Sequence, residues 1–308
     1  MIRFDIPILF LIFNRPDTTE RVFQEIRKQQ PKYLYVAADG PRLNRPDDVV
    51  KCEETRAIIK QVDWDCELKL LFRDENLGCG PAVSGALTWF FDQVEMGIVL
   101  EDDCLPHPDF FPYCKELLLK YKDVDQIKCI SGGNHNIKSE KIASSYRFSA
   151  YNYVWGWASW SRVWREYHYN LNDFDKKEIY GKIDNYFDTL GERLYWKNRF
   201  LIIRNQKVAR RRGINSWAYP ATFSIWMKDG LSIVPQKNLI KNIGFGDDAT
   251  HTTSNAIIFE TEPILPLEFN EEIVQDKMSD LQYYKRIIYK PLWKYPLLHI
   301  KYLIEKWF

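Results

Sequence analysis

"PILFLIFNRPDTTERVFQEI" (residues 7–26) begins as an unbroken apolar run, turns at Asn14-Arg15-Pro16, and then changes period. A continuous apolar run is what a strand covered on both faces of a parallel sheet requires. The Asp17-x-x-Glu20 pair reads as a helix-start signal, and Val22, Phe23 and Ile26 share one helical face. The predicted unit is strand, turn, helix.

The unit repeats. "YLYVAA" (33–38) precedes a helical pattern around 47–62, "CELKLLF" (66–72) one around 81–93, and "GIVL" (97–100) one around 109–121, before a further strand "IKCIS" (127–131). This alternation predicts an α/β fold with a mostly parallel central sheet flanked by helices. Ligands of such sheets bind outside the carboxyl ends of the strands. Asn14-Arg15, Asp39, Arg73 to Asn76 and Glu101-Asp102-Asp103 each follow a predicted strand, and are expected to converge on one crevice.

The chain of 308 residues is long enough for a full core, and 28% charged residues with a net charge of +1 exclude a disordered chain and give nucleic-acid binding by bulk charge no support. Asp5 interrupts the first apolar stretch, which is too short for a membrane span or a signal peptide, so a cytoplasmic start is expected. The six cysteines form no CxxC pair and read as free thiols.

After about residue 135 the character changes to aromatic-rich "YNYVWGWASWSRVWREY" (151–167), basic "KVARRRG" (207–213) and "NIGFGDDATHT" (242–252). The expected organisation is one domain over 1–255, with a nucleotide-binding half (1–135) and an acceptor-side half (136–255), then a C-terminal extension (256–308). The last 26 residues interleave six Lys/Arg and eight aromatics with one acidic residue. That composition suits the inner face of a cell membrane, or a terminal helix packed back on the domain.

Three adjacent carboxylates at a strand end repel one another, and a hard divalent cation relieves that repulsion while leaving positions for phosphates. The alternative is a solvated turn, with Asp109 as the cap of the following helix. Fusion of the triplet to a buried strand favours the cation. A dinucleotide fingerprint and a P-loop are both missing after the first strand, which ends in "NRPD". Glycine-rich "NLGCGPAVSG" (76–85) either approaches a ligand through its backbone or simply starts a helix. Phe13, Arg15, Asp39, Arg73, Asn76 and Gly78 are candidate ligand contacts; for Asp39 and the arginines, an ordinary turn and surface arginines are the competing readings. "VWGWASW", with Trp157 as the candidate contact, fits a saccharide face or a core cluster equally. Arg210 to Arg212 read as an anionic-acceptor contact or a solvated face, and His251 as a metal ligand, a phosphate donor or an ordinary loop histidine.

"VLEDDCLPHPDFFPYCKELLLKY" resembles the Glu-Asp-Asp variant of the DxD motif in GT-A-fold, nucleotide-sugar glycosyltransferases related to N-acetylglucosaminyltransferase I and its bacterial relatives. Thinner likeness extends through "YVAADGPR", "NLGCGPAVSGALTWFF", "VWGWASWSRVW" and "LSIVPQKNLIKNIGFGDDATHT". The resemblance implies a UDP-sugar donor and Mn²⁺ (or Mg²⁺). It places Asp39 on the uracil, Asp102 near the ribose, Asp103 on the metal, Glu101 near the donor sugar and Arg15 near the diphosphate, with the glycine-rich segment 244–254 ordering over bound donor. The implied role is glycosyl transfer to a glycan or lipid-linked oligosaccharide in surface polysaccharide synthesis.

One departure stands out. Where inverting relatives carry a Trp-Asp-Asp segment supplying the general base, this chain reads "SWAYP", with Ala218 and Tyr219. Asp247, Asp248 and Asp229 are the remaining acidic candidates. A non-catalytic sugar-nucleotide binder therefore stays open, as does a sugar-nucleotide pyrophosphorylase, although "NRPDTTE" is not the phosphate loop such enzymes use.

Overall fold

The apolar runs fold as parallel strands in the computed structural model, which describes residues 4–139, 143–244, 259–289, 291–297 and 300. Strand β1 (Ile8–Ile12) leads into α1 (Pro16–Gln29), β2 (Tyr33–Ala38) into α2 (Asp47–Ala57), and β3 (Glu67–Phe72) into α3 (Cys79–Phe91). Then come β4 (Met96–Glu101), β5 (Cys104–Pro106), α4 (Phe110–Lys120) and β6 (Ile127–Ser131). The second half adds β7 (Tyr146–Ser149), β8 (Trp157–Trp160), α5 (Ser161–Trp164), α6 (Lys176–Tyr186), α7 (Leu190–Arg204) and α8 (Gln206–Arg211). It closes with α9 (Ala218–Met227), β9 (Leu231–Pro235), β10 (Ile240–Asn242) and α10 (Lys277–Tyr283).

Eight strands form one sheet in the order β3-β2-β1-β4-β8-β6-β9-β7. The first four are parallel, β8 runs against both β4 and β6, β9 runs with β6, and β7 closes the far edge antiparallel. Both halves of the chain thus belong to a single sheet. Every residue of β1 is buried, as its apolar run demands, whereas β3 at the edge is half open. A separate antiparallel pair, β5 with β10, lays the chain after residue 240 across the end of β4.

Two local expectations are corrected. Helix α1 begins at Pro16, not at an Asp17 cap: proline at the first helical position has no amide to leave unsatisfied, and Asp17 instead lies in the first turn, where the helix dipole favours it. Asp109 flanks α4 but does not cap it with its side chain. Its Oδ2 accepts from the amides of Ile264 (2.8 Å) and Leu265 (3.3 Å), tying the C-terminal extension to the domain.

The extension is anchored again at α10, where the buried Asp280 carboxylate accepts from Ser149 Oγ (2.5 Å), the Ala150 amide (2.9 Å) and Gln275 (2.8 Å). Beyond it Tyr284 and Tyr295 are buried with their hydroxyls 3.0 Å apart, while Tyr289, Leu292, Trp293 and Leu297 are exposed. Among the described residues no helix is long and apolar enough to cross a membrane.

Candidate functional site

A cleft of about 310 Å³ opens at the carboxyl ends of β1, β2 and β4. Because Glu101 closes β4 in register with Leu11 of β1, Asp102 falls beside the chain leaving β1. Phe13 donates its amide to Asp102 Oδ2 at 3.0 Å. Arg15, two residues on, places Nη1 2.8 Å from Asp103 Oδ2 and 4.0 Å from Asp102 Oδ1. Burial, then the charge of Asp103, push the carboxyls of Glu101 and Asp102 above the usual range, and Arg15 offsets this only in part. Among the described residues, Arg15 balances only part of the triplet's negative charge.

The facing wall comes from β2 and the turn into α3. Both oxygens of Asp39 accept from the Leu77 amide (3.0 and 3.1 Å), and Oδ2 also accepts from the Gly78 amide (3.0 Å). Gly78 sits at φ +79°, where a side chain would be strained. Asn76 Nδ2 donates to the Gly40 carbonyl (2.8 Å), and a Cβ on Gly40 would run into the backbone of Glu75. Arg56 Nη2 ties together the carbonyls of Asp39 (3.1 Å) and Arg73 (2.6 Å), fixing the ends of β2 and β3 side by side. Asp39 therefore organises the 76–80 turn, whatever else it contacts. Arg73 lines the same cleft, its guanidinium lying against α3 at Gly85.

Several cleft residues were not singled out from sequence. Arg42 is fixed by the fully buried Asp48, with Nε and Nη2 at 2.6 and 2.8 Å from its two oxygens, and it lies over the Phe13 ring at 5.4 Å. Asn14 Nδ2 bonds the same carboxylate (2.8 Å). The one available signal was Asp48 itself, an acid in the first turn of a helix two residues after a proline. Gly244 opens the glycine-rich segment that the resemblance places over bound donor; its amide bonds Asn242 Oδ1 (2.9 Å), and a Cβ there would collide with Asp103 Oδ2 and come within 2.8 Å of Arg15 Nη1.

The tryptophans divide. Trp155 lines the cleft, but Trp157, two residues on and past Gly156 at φ +58°, is 5% exposed and stacks on Trp217 at 5.5 Å inside the core. Trp157, the candidate sugar contact, is thus a core residue, and Trp155 is the tryptophan that lines the cleft. Asp229 sits before β9, at the opposite end of the sheet from the cleft, and pairs with Lys182 (2.5 Å), so it is no base for chemistry there. Arg210 lines a separate small cavity with Tyr169 and Asn215. Asp247, Asp248 and His251 lie outside the described residues, in the segment that follows Gly244 directly. All six cysteines are free thiols.

Among the described residues no three acidic, histidine or cysteine side chains converge into a cage for a metal. The hard-oxygen set at Asp103, with its unbalanced charge, still suits Mn²⁺ or Mg²⁺ held in the usual way for phosphate enzymes, by one or two carboxylates with ligand phosphates completing the shell. The donor chemistry fits such an ion.

No protein-family model and no curated protein matches the chain. Among solved structures it is similar to HddC from Yersinia pseudotuberculosis (11% identity over 53% of this chain and 80% of that one, TM-score 0.32). It is also similar to 4-diphosphocytidyl-2C-methyl-D-erythritol synthase from Anaerococcus prevotii (11%, 52% and 74%, TM-score 0.31) and to mouse xyloside xylosyltransferase 1 (9%, 72% and 81%, TM-score 0.32). Likeness at this distance assigns no reaction.

Proposed function

We propose that the chain is a metal-dependent glycosyltransferase of GT-A type, related to N-acetylglucosaminyltransferase I, moving a sugar from a UDP-sugar to a glycan or lipid-linked acceptor. The observation that carries the reading is the juxtaposition of Arg15 with Asp103 at the acidic end of β4, in a cleft that also receives Asp39 and Arg73. A nucleoside diphosphate is anionic at one end and offers base and ribose hydrogen-bonding groups at the other. Both have candidate partners among the cleft residues: Arg15, Arg42 and Arg73 would face the diphosphate, while Asp39 and Asp102 would supply acceptors for base and ribose.

Asp103 would hold the divalent cation, with His251 as the candidate further ligand. A bound cation would draw charge off the departing diphosphate. The arginines neutralise the same leaving group, and Trp155 offers a flat face to the transferred ring. Transfer also requires a proton to leave the acceptor hydroxyl, for which Asp247 and Asp248 are the candidate bases. The exposed aromatic and basic tail around Tyr289, Trp293 and Lys294 would hold the enzyme at the inner leaflet beside a lipid-linked acceptor.

A thermal-shift panel of nucleotide sugars with and without Mn²⁺ tests the reading, since a ligand that prefers the folded state raises its melting temperature. A UDP-sugar shift that needs Mn²⁺ and disappears in Asp103→Ala is expected. A panel without any such response would sink it.

A further inference from the structure

A second cavity, of about 370 Å³, lies outside the cleft and is walled by three helical segments with the same spacing. Helix α7 presents Tyr195, Trp196 and Arg199, and α9 presents Ala218, Tyr219 and Thr222, each at positions i, i+1 and i+4 on one face. The third wall is Tyr283 and Ile287, also i and i+4, held in place because Asp280 pins α10 to the backbone at 149–150.

Among the described residues the cavity holds one guanidinium, that of Arg199. Arg199 is half-buried between two phenols, its guanidinium 5.3 Å from the Tyr195 ring and 4.8 Å from the Tyr219 ring, and Nη2 donates to the Tyr195 hydroxyl at 3.2 Å. Its neighbours among the described residues are those two neutral phenols, and no carboxylate there forms an ion pair with it. A guanidinium partly withdrawn from water gains by pairing with an anion, and its planar fork suits a bidentate one. Around it, Trp196, Tyr219 and Tyr283 supply flat apolar faces, and Asn152 and Thr222, bonded to each other at 2.6 Å, supply polar groups.

The two cavities share a segment. Asn152 lines this one and Trp155 lines the cleft, and three residues of chain span at most about 11 Å. The two cavities therefore lie close together.

We infer that this cavity binds an acidic sugar unit of the acceptor, with Arg199 on its carboxylate or phosphate and the aromatic rings on its pyranose faces. The assignment to an acceptor rests on reading the cleft as the donor site. It also gives a use to the region around Ala218 and Tyr219, where the resemblance calls for an acidic residue and the chain instead surrounds a cation.

The test uses the full chain, titrated by saturation-transfer NMR with methyl β-D-glucuronide, glucose 6-phosphate and methyl β-D-glucoside. At least one acidic sugar is expected to bind about tenfold or more tightly than the neutral glucoside, and which one identifies the anion. Arg199→Gln is expected to reduce that acid to the level of the glucoside. Ile287→Asp, at the rim and 40% exposed, is expected to weaken the acidic sugar at low salt without changing the melting temperature. Equal binding of acidic and neutral sugars, or a preference that survives both substitutions, overturns the inference. UDP binding measured in the same samples separates the two readings. UDP bound without acidic preference removes the second site alone, and acidic preference without UDP binding removes the donor-site reading and leaves the ligand class of this cavity standing.

Discussion

Arg15 Nη1 stands 2.8 Å from Asp103 Oδ2, so among the described residues a guanidinium is bonded to the carboxylate proposed to hold the metal. Burial, and after it the negative charge of Asp103, raise the Asp102 carboxyl. Removal of Asp103 should therefore relieve repulsion while abolishing cation binding. Asp103→Ala is expected to lower kcat/KM with the UDP-sugar by at least about a hundredfold, roughly 3 kcal/mol of lost charge stabilisation, with the melting temperature unchanged or higher. Steady-state kinetics beside calorimetry decide it; activity within a few-fold of wild type would remove Asp103 from the site.

Gly244 has no room for a side chain. A methyl group there meets Asp103 Oδ2 and Arg15 Nη1 together, so Gly244→Ala must push apart the pair that forms the floor of the cleft. Overpacking of this kind costs about 1–3 kcal/mol, and the corresponding loss in UDP affinity is about five- to a hundredfold. Titration calorimetry reads it directly. An unchanged affinity would mean that the pair opens freely when nucleotide binds.

What sequence revealed and what it hid follow from the range of the interactions. The strands β1, β2, β4 and β6 were legible because burial on both faces leaves unbroken apolar runs, and the polar residues after them lie at the carboxyl ends as parallel topology requires. The insertion of β8 against the grain between β4 and β6 was not, since strand order is a tertiary choice that no local pattern encodes. Trp155 and Trp157 are chemically alike and two residues apart, and only the positive φ at Gly156 between them sends one to the cleft and the other to the core. Arg42 and Asp48 look like ordinary surface charges until the fold buries the acid.

Asp48 makes acid stability a readout of cleft architecture. The Arg42 guanidinium bonded to it, with help from the Arg42 amide and Asn14, lowers its pKa to about 2. A folded value below the unfolded one contributes stability that is present above about pH 4 and is lost as pH falls toward 2. Asp48→Asn is expected to cost about 2 kcal/mol at pH 7 and to flatten the acid limb of the stability curve between those values. Denaturant melts at pH 7, 4 and 2.5 check it. An acid limb as steep as in wild type would show that other carboxylates set it.

The C-terminal tail divides into a part that packs and a part that does not. Tyr284 and Tyr295 are buried, whereas Trp293 is 66% and Leu297 57% exposed beside Lys294, with Lys285 and Arg286 also at the surface. Exposed apolar residues contribute little to folding, so Trp293→Ser with Leu297→Ser should leave thermal unfolding within a degree or two. A membrane role makes the opposite demand on the same residues. Interfacial aromatics add to basic side chains worth about 1 kcal/mol each near an anionic surface, so wild type should cosediment with phosphatidylglycerol vesicles and release at high salt. The double variant should lose about tenfold or more of that binding, and neutral phosphatidylcholine vesicles should bind neither protein. Equal cosedimentation of the two proteins would move the docking surface elsewhere, and no cosedimentation of wild type would leave the tail without a membrane role.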